Sequence, residues 1–136
     1  MQRTVSEKTS EEKEIFEDRL DRALDEAWSK LNLALENTAR QSGELEMSVR
    51  LAAEAVEYSS ALFSLTYGLE DVDPEVRVRR NVDTLVLVKD SVEALKRARE
   101  LREKSATEAY SSLRTAADYL KTAYLDQVKK SAKTPG

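Results

Sequence analysis

The sequence predicts an all-α fold, an antiparallel up-down-up-down four-helix bundle. Its 136 residues include only three Gly and two Pro, so few positions interrupt a helix. Apolar residues recur at steps of three and four along four long stretches, which keeps them on one face of each helix. Stretches of similar length with short connections favour helices of alternating direction. We expect one domain over residues 1–136, with residues 1–8 and 131–136 as frayed tails.

Composition excludes several chemistries. The chain has no Cys and no His, so disulfides, Cys- or His-dependent catalysis and zinc sites built from those residues are excluded. No apolar run reaches the roughly 20 residues that cross a bilayer, and the N-terminus lacks the apolar core of a signal peptide. We therefore expect a soluble, cytoplasmic protein without a cofactor. Few Asn, Gln or Cys among many charges is typical of thermophile proteins.

The first helix is predicted to end at about Arg40. Thr9-Ser10-Glu11-Glu12 fits a capping box, in which a hydroxyl and a Glu three residues later satisfy amides at a helix start. We expect Gly43 to adopt the left-handed conformation that stops this helix and turns the chain. Its apolar stripe comprises Phe16, Leu20, Ala23, Ala27, Leu31, Ala34 and Thr38.

The second helix, predicted over residues 45–67 with Gly68 as its stop, is apolar on two faces. Its first stripe comprises Leu45, Val49, Ala52, Val56, Ser60, Phe63 and Tyr67. Its second stripe includes Met47, Leu51, Tyr58, Leu62 and Leu65. A helix in a monomeric bundle needs one apolar face, and a second face left in water would exceed the patch that monomers normally expose. We therefore predict that the five residues of the second stripe form the interface of a twofold dimer.

The third helix is predicted to begin at Asp73-Pro74, with Asp as the N-cap and Pro at the first helical position. Its stripe runs through Val78, Val82, Leu85, Val88, Val92 and Leu95 towards Leu101. The β-branched residues from Val76 to Val88 are also typical of a strand, but the interspersed charges favour a helix. Ser105-Ala106-Thr107-Glu108 predicts the cap of a fourth helix. The alternative is one rod that fuses helices three and four.

Two acidic pairs, Glu54-x-x-Glu57 and Glu70-x-x-Asp73, are the sharpest chemical motif. Their spacing resembles the ExxE…ExxD signature of all-α NTP pyrophosphatases, which hold Mg²⁺ on carboxylates of two facing helices. The resemblance implies Mg²⁺-dependent nucleotide hydrolysis, because a hard cation needs several converging oxygens. However, Glu70 and Asp73 fall in a predicted linker, and one such spacing is expected by chance among 26 acids. We therefore predict no metal site.

Two further charged groups have a structural interpretation. Asp18, Asp21 and Asp25 share one helix face, which we interpret as solvated because bases are interleaved with them. The second group is Arg77, Arg79 and Arg80, near the predicted start of the third helix. Such a group is able to clamp a phosphate at a helix N-terminus. Its members project in three directions, which favours separate ion pairs instead.

Charge divides the chain into two halves. Residues 1–75 hold 18 acids and 8 bases, whereas residues 76–136 hold 8 acids and 14 bases. Either the two halves attract each other, or the basic half binds an acidic partner such as nucleic acid. Acids are spread among the bases of the second half, so attraction between the halves is the simpler account.

Together these patterns predict a non-enzymatic interaction or assembly module. It self-associates, with a dimer favoured, or docks a helical protein partner. The alternatives are the Mg²⁺-dependent nucleotide pyrophosphohydrolase, with Glu54 and Glu57 at its centre, and nucleic-acid binding by the third and fourth helices.

Overall fold

Four helices make up the described part of the chain. The computed structural model describes residues 10–79 and 82–133. The helices are α1 (Ser10–Arg40), α2 (Leu45–Tyr67), α3 (Thr84–Leu101) and α4 (Ala106–Lys133). This confirms the all-α four-helix bundle and excludes the fused rod, because α3 ends before α4 begins. None of the helices in these two ranges combines the length and the apolar character that a membrane span requires.

Around the bundle, α1 packs against α2, α2 against α4, α4 against α3, and α3 against α1. Ion pairs of Arg99 with Asp25 and of Arg102 with Asp21 show that α3 runs antiparallel to α1. On the other side, α4 runs antiparallel to α2 because Arg114 meets Glu57 while residue 131 meets residue 46. The short connections 41–44 and 102–105 make α1–α2 and α3–α4 antiparallel as well, so every neighbouring pair is antiparallel.

The order in which the chain visits these positions differs from the prediction. Because α1 and α3 are antiparallel, as are α1 and α2, the helices α2 and α3 run in the same direction and occupy diagonal positions. The order is up-down-down-up, which corrects the predicted up-down-up-down topology. The connection over residues 68–83 must consequently carry the chain from one end of the bundle to the other.

Residues 73–79 of this connection have no regular secondary structure and run along α4. The amide of Glu75 donates to the hydroxyl of Ser111 at 3.1 Å, and the amide of Arg77 donates to the hydroxyl of Thr115 at 3.3 Å. Two extended residues advance about 6.6 Å, close to the roughly 5.4 Å of one helical turn. Hydroxyls one turn apart on α4 therefore match alternate amides of the connection.

The predicted helix start at Asp73-Pro74 is therefore wrong. The third helix begins at Thr84, with Asp83 in the N-cap position. A helical residue advances about 1.5 Å and an extended one more than twice that distance, so only an extended segment returns the chain to the far end in these few residues. Val78, predicted in the core stripe, is 62% exposed on this segment.

Two helix ends illustrate the role of left-handed residues. Gly68 ends α2 with φ 65°, as predicted. At the end of α1 the left-handed residue is Gln41, with φ 54°, and not Gly43, so that prediction is wrong. The amide of Ser42 donates to the carbonyl of Asn37 at 2.9 Å, which closes the Schellman motif around Gln41.

Alanine substitutions at the two glycines should have opposite effects. A Cβ at Gly43 would meet nothing within 4 Å, and its φ lies outside the left-handed region. Gly43→Ala should therefore raise the free energy of unfolding by about 0.4–1 kcal/mol, because alanine restricts the unfolded chain. Gly68→Ala should lower it by about 1 kcal/mol, because its φ is left-handed. Urea unfolding measures both, and equal signs would contradict this assignment.

The start of α4 confirms the predicted cap. The amide of Glu108 donates to the hydroxyl of Ser105, three residues earlier, at 3.4 Å. Thr9, of the capping box predicted for the first helix, lies outside the described residues.

Ser105→Ala should lower the free energy of unfolding by about 1 kcal/mol, because it removes this N-cap acceptor. Chemical denaturation measures the loss, with Ser105→Asp, which restores an acceptor, as the control. An unchanged midpoint in the alanine variant would show that the cap contributes nothing.

Candidate interaction surface

The second stripe of α2 lies mostly on the outside of the bundle. Met47 is 53% exposed, Tyr58 is 59% exposed and Leu65 is 46% exposed, while Leu51 is half-buried. Leu62 differs, because it is only 6% exposed and belongs to the core cluster. Its predicted place at the surface is therefore wrong, because it is buried with the core residues of the other helices. The residues that remain outside form one line along α2.

Beside this line, a groove of about 510 Å³ runs between α2 and α4. Three alanines at the helix–helix contact leave it shallow and apolar, and two tyrosines border it. Its lining comprises Arg50, Ala53, Glu54, Glu57, Tyr58, Ala61, Ala117, Lys121 and Tyr124. Small side chains in such a groove allow another helix to approach closely.

Charged groups form the rim of the groove. Glu54 pairs with Arg50 one turn earlier on α2, at 3.1 Å. Glu57 pairs with Arg114 of α4 at 2.7 Å. The ammonium group of Lys121 forms no hydrogen bond or ion pair with residues 10–79 and 82–133. The sequence prediction missed Lys121 and Tyr124 as parts of this surface, because it did not place α4 beside α2.

The four acids of the pyrophosphatase-like motif are separated in the fold. Glu54 and Glu57 lie on α2, whereas Glu70 and Asp73 are exposed on the connection that follows it. Within the part of the chain that the structure describes, no group of three or more acids is arranged to hold a metal ion.

Arg77 and Arg79 lie on the extended connection, so their predicted place just inside a helix start is wrong. Arg79 forms an ion pair with Asp90 of α3. Arg80 lies outside the described residues. Arg77 and Arg79 therefore share no helix N-terminus that would bind a phosphate.

The acidic and basic halves of the chain meet inside the bundle. Asp21 and Asp25 lie on an exposed face, as predicted, and they also pair with arginines near the end of α3. Glu57 pairs with Arg114. In each of these pairs the acid belongs to the α1–α2 hairpin and the arginine to the α3–α4 hairpin. This arrangement supports the interpretation that the charge asymmetry serves attraction between the halves.

Arg102 has the most buried guanidinium of these pairs. It binds the carboxylate of Asp21 and donates to the phenol of Tyr67 at 2.7 Å, with its guanidinium 5.9 Å from the Tyr67 ring centre. Burial lowers the pKa of Arg102, but the hydrogen bonds to Asp21 and Tyr67 raise it above the ordinary value. The guanidinium therefore stays charged and ties together the ends of α2 and α3.

Salt should weaken the attraction between the two hairpins. The pairs are partly exposed, so raising NaCl to about 1 M should cost about 1 kcal/mol of the free energy of unfolding. Urea unfolding at low and high salt measures this loss. The control is the double variant Arg99→Gln with Arg114→Gln, whose stability should depend less on salt. Equal salt dependence in both proteins would show that these pairs contribute nothing.

Trp28 has a packing role. Its half-buried ring packs against the core and borders a second, smaller hollow with Lys96, Arg99 and Glu100. This hollow lies between α1 and α3.

No protein-family model matches this chain, and no match is found among curated proteins or solved structures. The surface chemistry therefore has to support any functional assignment by itself.

Proposed function

We propose that this protein is a non-enzymatic interaction module whose outer α2 face binds a helix of a partner. The observation that carries the proposal is the line of exposed apolar side chains at Met47, Tyr58 and Leu65. The core is already filled by the other stripe of α2, so these side chains are not needed to hold the bundle together. Large apolar side chains exposed along one face of a helix are typical of a binding site.

The shape of the surface suits a helical partner. Helices docked in grooves use apolar anchors that recur on one face of the helix, at spacings such as four and seven residues. The outer face of α2 presents large apolar residues at such spacings, at Met47, Leu51, Tyr58 and Leu65. The adjoining groove has Ala53, Ala61 and Ala117 in its lining, which leaves space for the partner's side chains. The charged rim adds specificity rather than large affinity.

The two alternatives draw less support. Glu54 and Glu57 are engaged in ion pairs, which disfavours a Mg²⁺-dependent hydrolase centred on them. Arg99, Arg102 and Arg114 are engaged by acids of the first hairpin, which disfavours nucleic-acid binding by α3 and α4. The cytoplasmic location that the composition favours stays a prediction.

Photo-crosslinking tests the proposal in the source cells. A photoreactive amino acid replacing Tyr58 should give a discrete cross-linked product, and Leu51→Glu in the same chain should abolish it. The matched control places the same group at Arg97, which is exposed on α3, the helix diagonal to α2. The absence of a discrete product from position 58, or an equal product from position 97, would contradict the proposal.

A further inference from the structure

The outer face of α2 carries a heptad seam. Its positions are separated by four, three, four, three and four residues, the repeat by which two helices pack along each other. They are Met47, Leu51, Glu54, Tyr58, Ala61 and Leu65. The seam spans about 27 Å at 1.5 Å per residue, nearly the whole of α2.

This seam is complementary to itself when two copies run antiparallel. One register pairs all six positions, and a shift of one heptad in either direction leaves two positions at one end of each seam without a partner. The register pairs Met47 with the partner's Leu65, Leu51 with the partner's Ala61, and Glu54 with the partner's Tyr58. Leu51 thus meets the small side chain of the partner's Ala61. The carboxylate of Glu54 meets the phenol of the partner's Tyr58, which donates a hydrogen bond to it. A polar pair within a seam fixes its register.

The charges beside the seam are complementary in the same register. The twofold axis of such a dimer lies in the interface and places the α4 helices of both copies on the same side of the two α2 helices. Lys121 lies level with the two turns of α2 between Arg50 and Glu57. This follows because Arg114 contacts Glu57 and residue 131 contacts residue 46. The axis then brings Lys121 within about one helical turn of the partner's Glu57.

This position gives Lys121 a role. The two copies of Glu57 approach each other near the axis, where their negative charges would repel. Arg114 neutralises Glu57 within one copy, at 2.7 Å. In such a pair Lys121, whose ammonium forms no ion pair among the described residues, is placed to supply a second cation to the partner's Glu57.

We infer that the helix docked on the outer face of α2 is α2 of a second copy, antiparallel, with Met47 opposite the partner's Leu65. The inference rests on the proposed function and names the partner. A closed twofold dimer follows, since each copy offers the other the same surface.

Single cysteines test the register directly, because the natural chain contains none. Met47→Cys and Leu65→Cys are made in separate full-length chains, one carrying a size tag. After mixing and mild oxidation, a disulfide-linked heterodimer should form in high yield. Each variant oxidised alone should stay largely unlinked, because its two copies of the cysteine lie about 27 Å apart. Efficient linkage of either variant alone would overturn the antiparallel register.

Two further measurements separate this inference from the proposed function. Light scattering should give about twice the 15.4 kDa chain mass. Lys121→Glu should weaken self-association about tenfold or more, whereas Lys89→Glu on α3 should leave it unchanged. A monomer at high micromolar concentration would overturn the second copy as the partner. The docking function itself is judged by the cross-link from position 58, which would then join a different protein.

Discussion

Leu62→Glu should leave the protein largely unfolded at neutral pH. Leu62 is 6% exposed and belongs to the core cluster, to which all four helices contribute. The substitution removes about 2–3 kcal/mol of apolar burial and places a carboxylate where burial of an unpaired charge costs several kcal/mol more. Together these losses approach the roughly 5–15 kcal/mol by which an ordinary domain is stable. Loss of the helical circular dichroism signal at 25 °C measures the effect.

The matched control is Leu65→Glu, three residues further along the same helix. Leu65 is 46% exposed, so its carboxylate stays hydrated and the variant should remain helical. Measuring at a low micromolar protein concentration separates an effect of the substitution on self-association from its effect on folding. A Leu62→Glu protein that melts like Leu65→Glu would mean that α2 is rotated about its axis relative to the arrangement described.

The periodic signals in the sequence predicted the number of helices, the bounds of the second helix and most of the core. The second helix begins and ends at the predicted residues, Leu45 and Tyr67, because its apolar period and Gly68 agree. The Ser105 cap also lies at its predicted place. These features depend on residues near one another in sequence, so local chemistry determines them.

Local sequence signals did not predict the connection between α2 and α3. Asp73-Pro74 is a good helix start considered alone, but the topology requires the chain to return along α4. The alternation of Val76, Arg77, Val78 and Arg79 is typical of extended structure, and the fold uses it as such. Because these residues were interpreted as helical, the predicted third helix began about three turns before the observed start at Thr84.

Local sequence signals also predicted only part of the interaction surface. Met47, Tyr58 and Leu65 lie outside, as expected, because a helix with two apolar faces does not bury both in one bundle. Leu62 is on the boundary between the faces, and only the position of α1 decides where it lies. The contribution of α4 was missed because an up-down-up-down order places α4 diagonally opposite α2. The true order makes them neighbours and brings Lys121 and Tyr124 to the groove.

Phe63→Ala should lower the free energy of unfolding by about 3–5 kcal/mol. The ring is 1% exposed, and its centre lies 4.6 Å from that of Tyr67 and 6.5 Å from that of Tyr110. Alanine removes the transfer energy of the ring, leaves a cavity between α2 and α4, and ends both aromatic contacts. Because Tyr67 also holds Arg102, loosening this cluster should weaken the junction of α2 with α3.

Thermal and urea unfolding measure the loss at Phe63, and a fall in melting temperature of about 10–20 °C corresponds to it for a domain of this size. Phe63→Leu is the control, because it keeps most of the apolar volume and should cost less than half as much as alanine. If the aromatic pairs matter beyond volume, Tyr110→Leu should add little further loss in the Phe63→Leu background, since the partner ring is already gone. Full additivity of the two leucine substitutions would show that the rings act only by filling space.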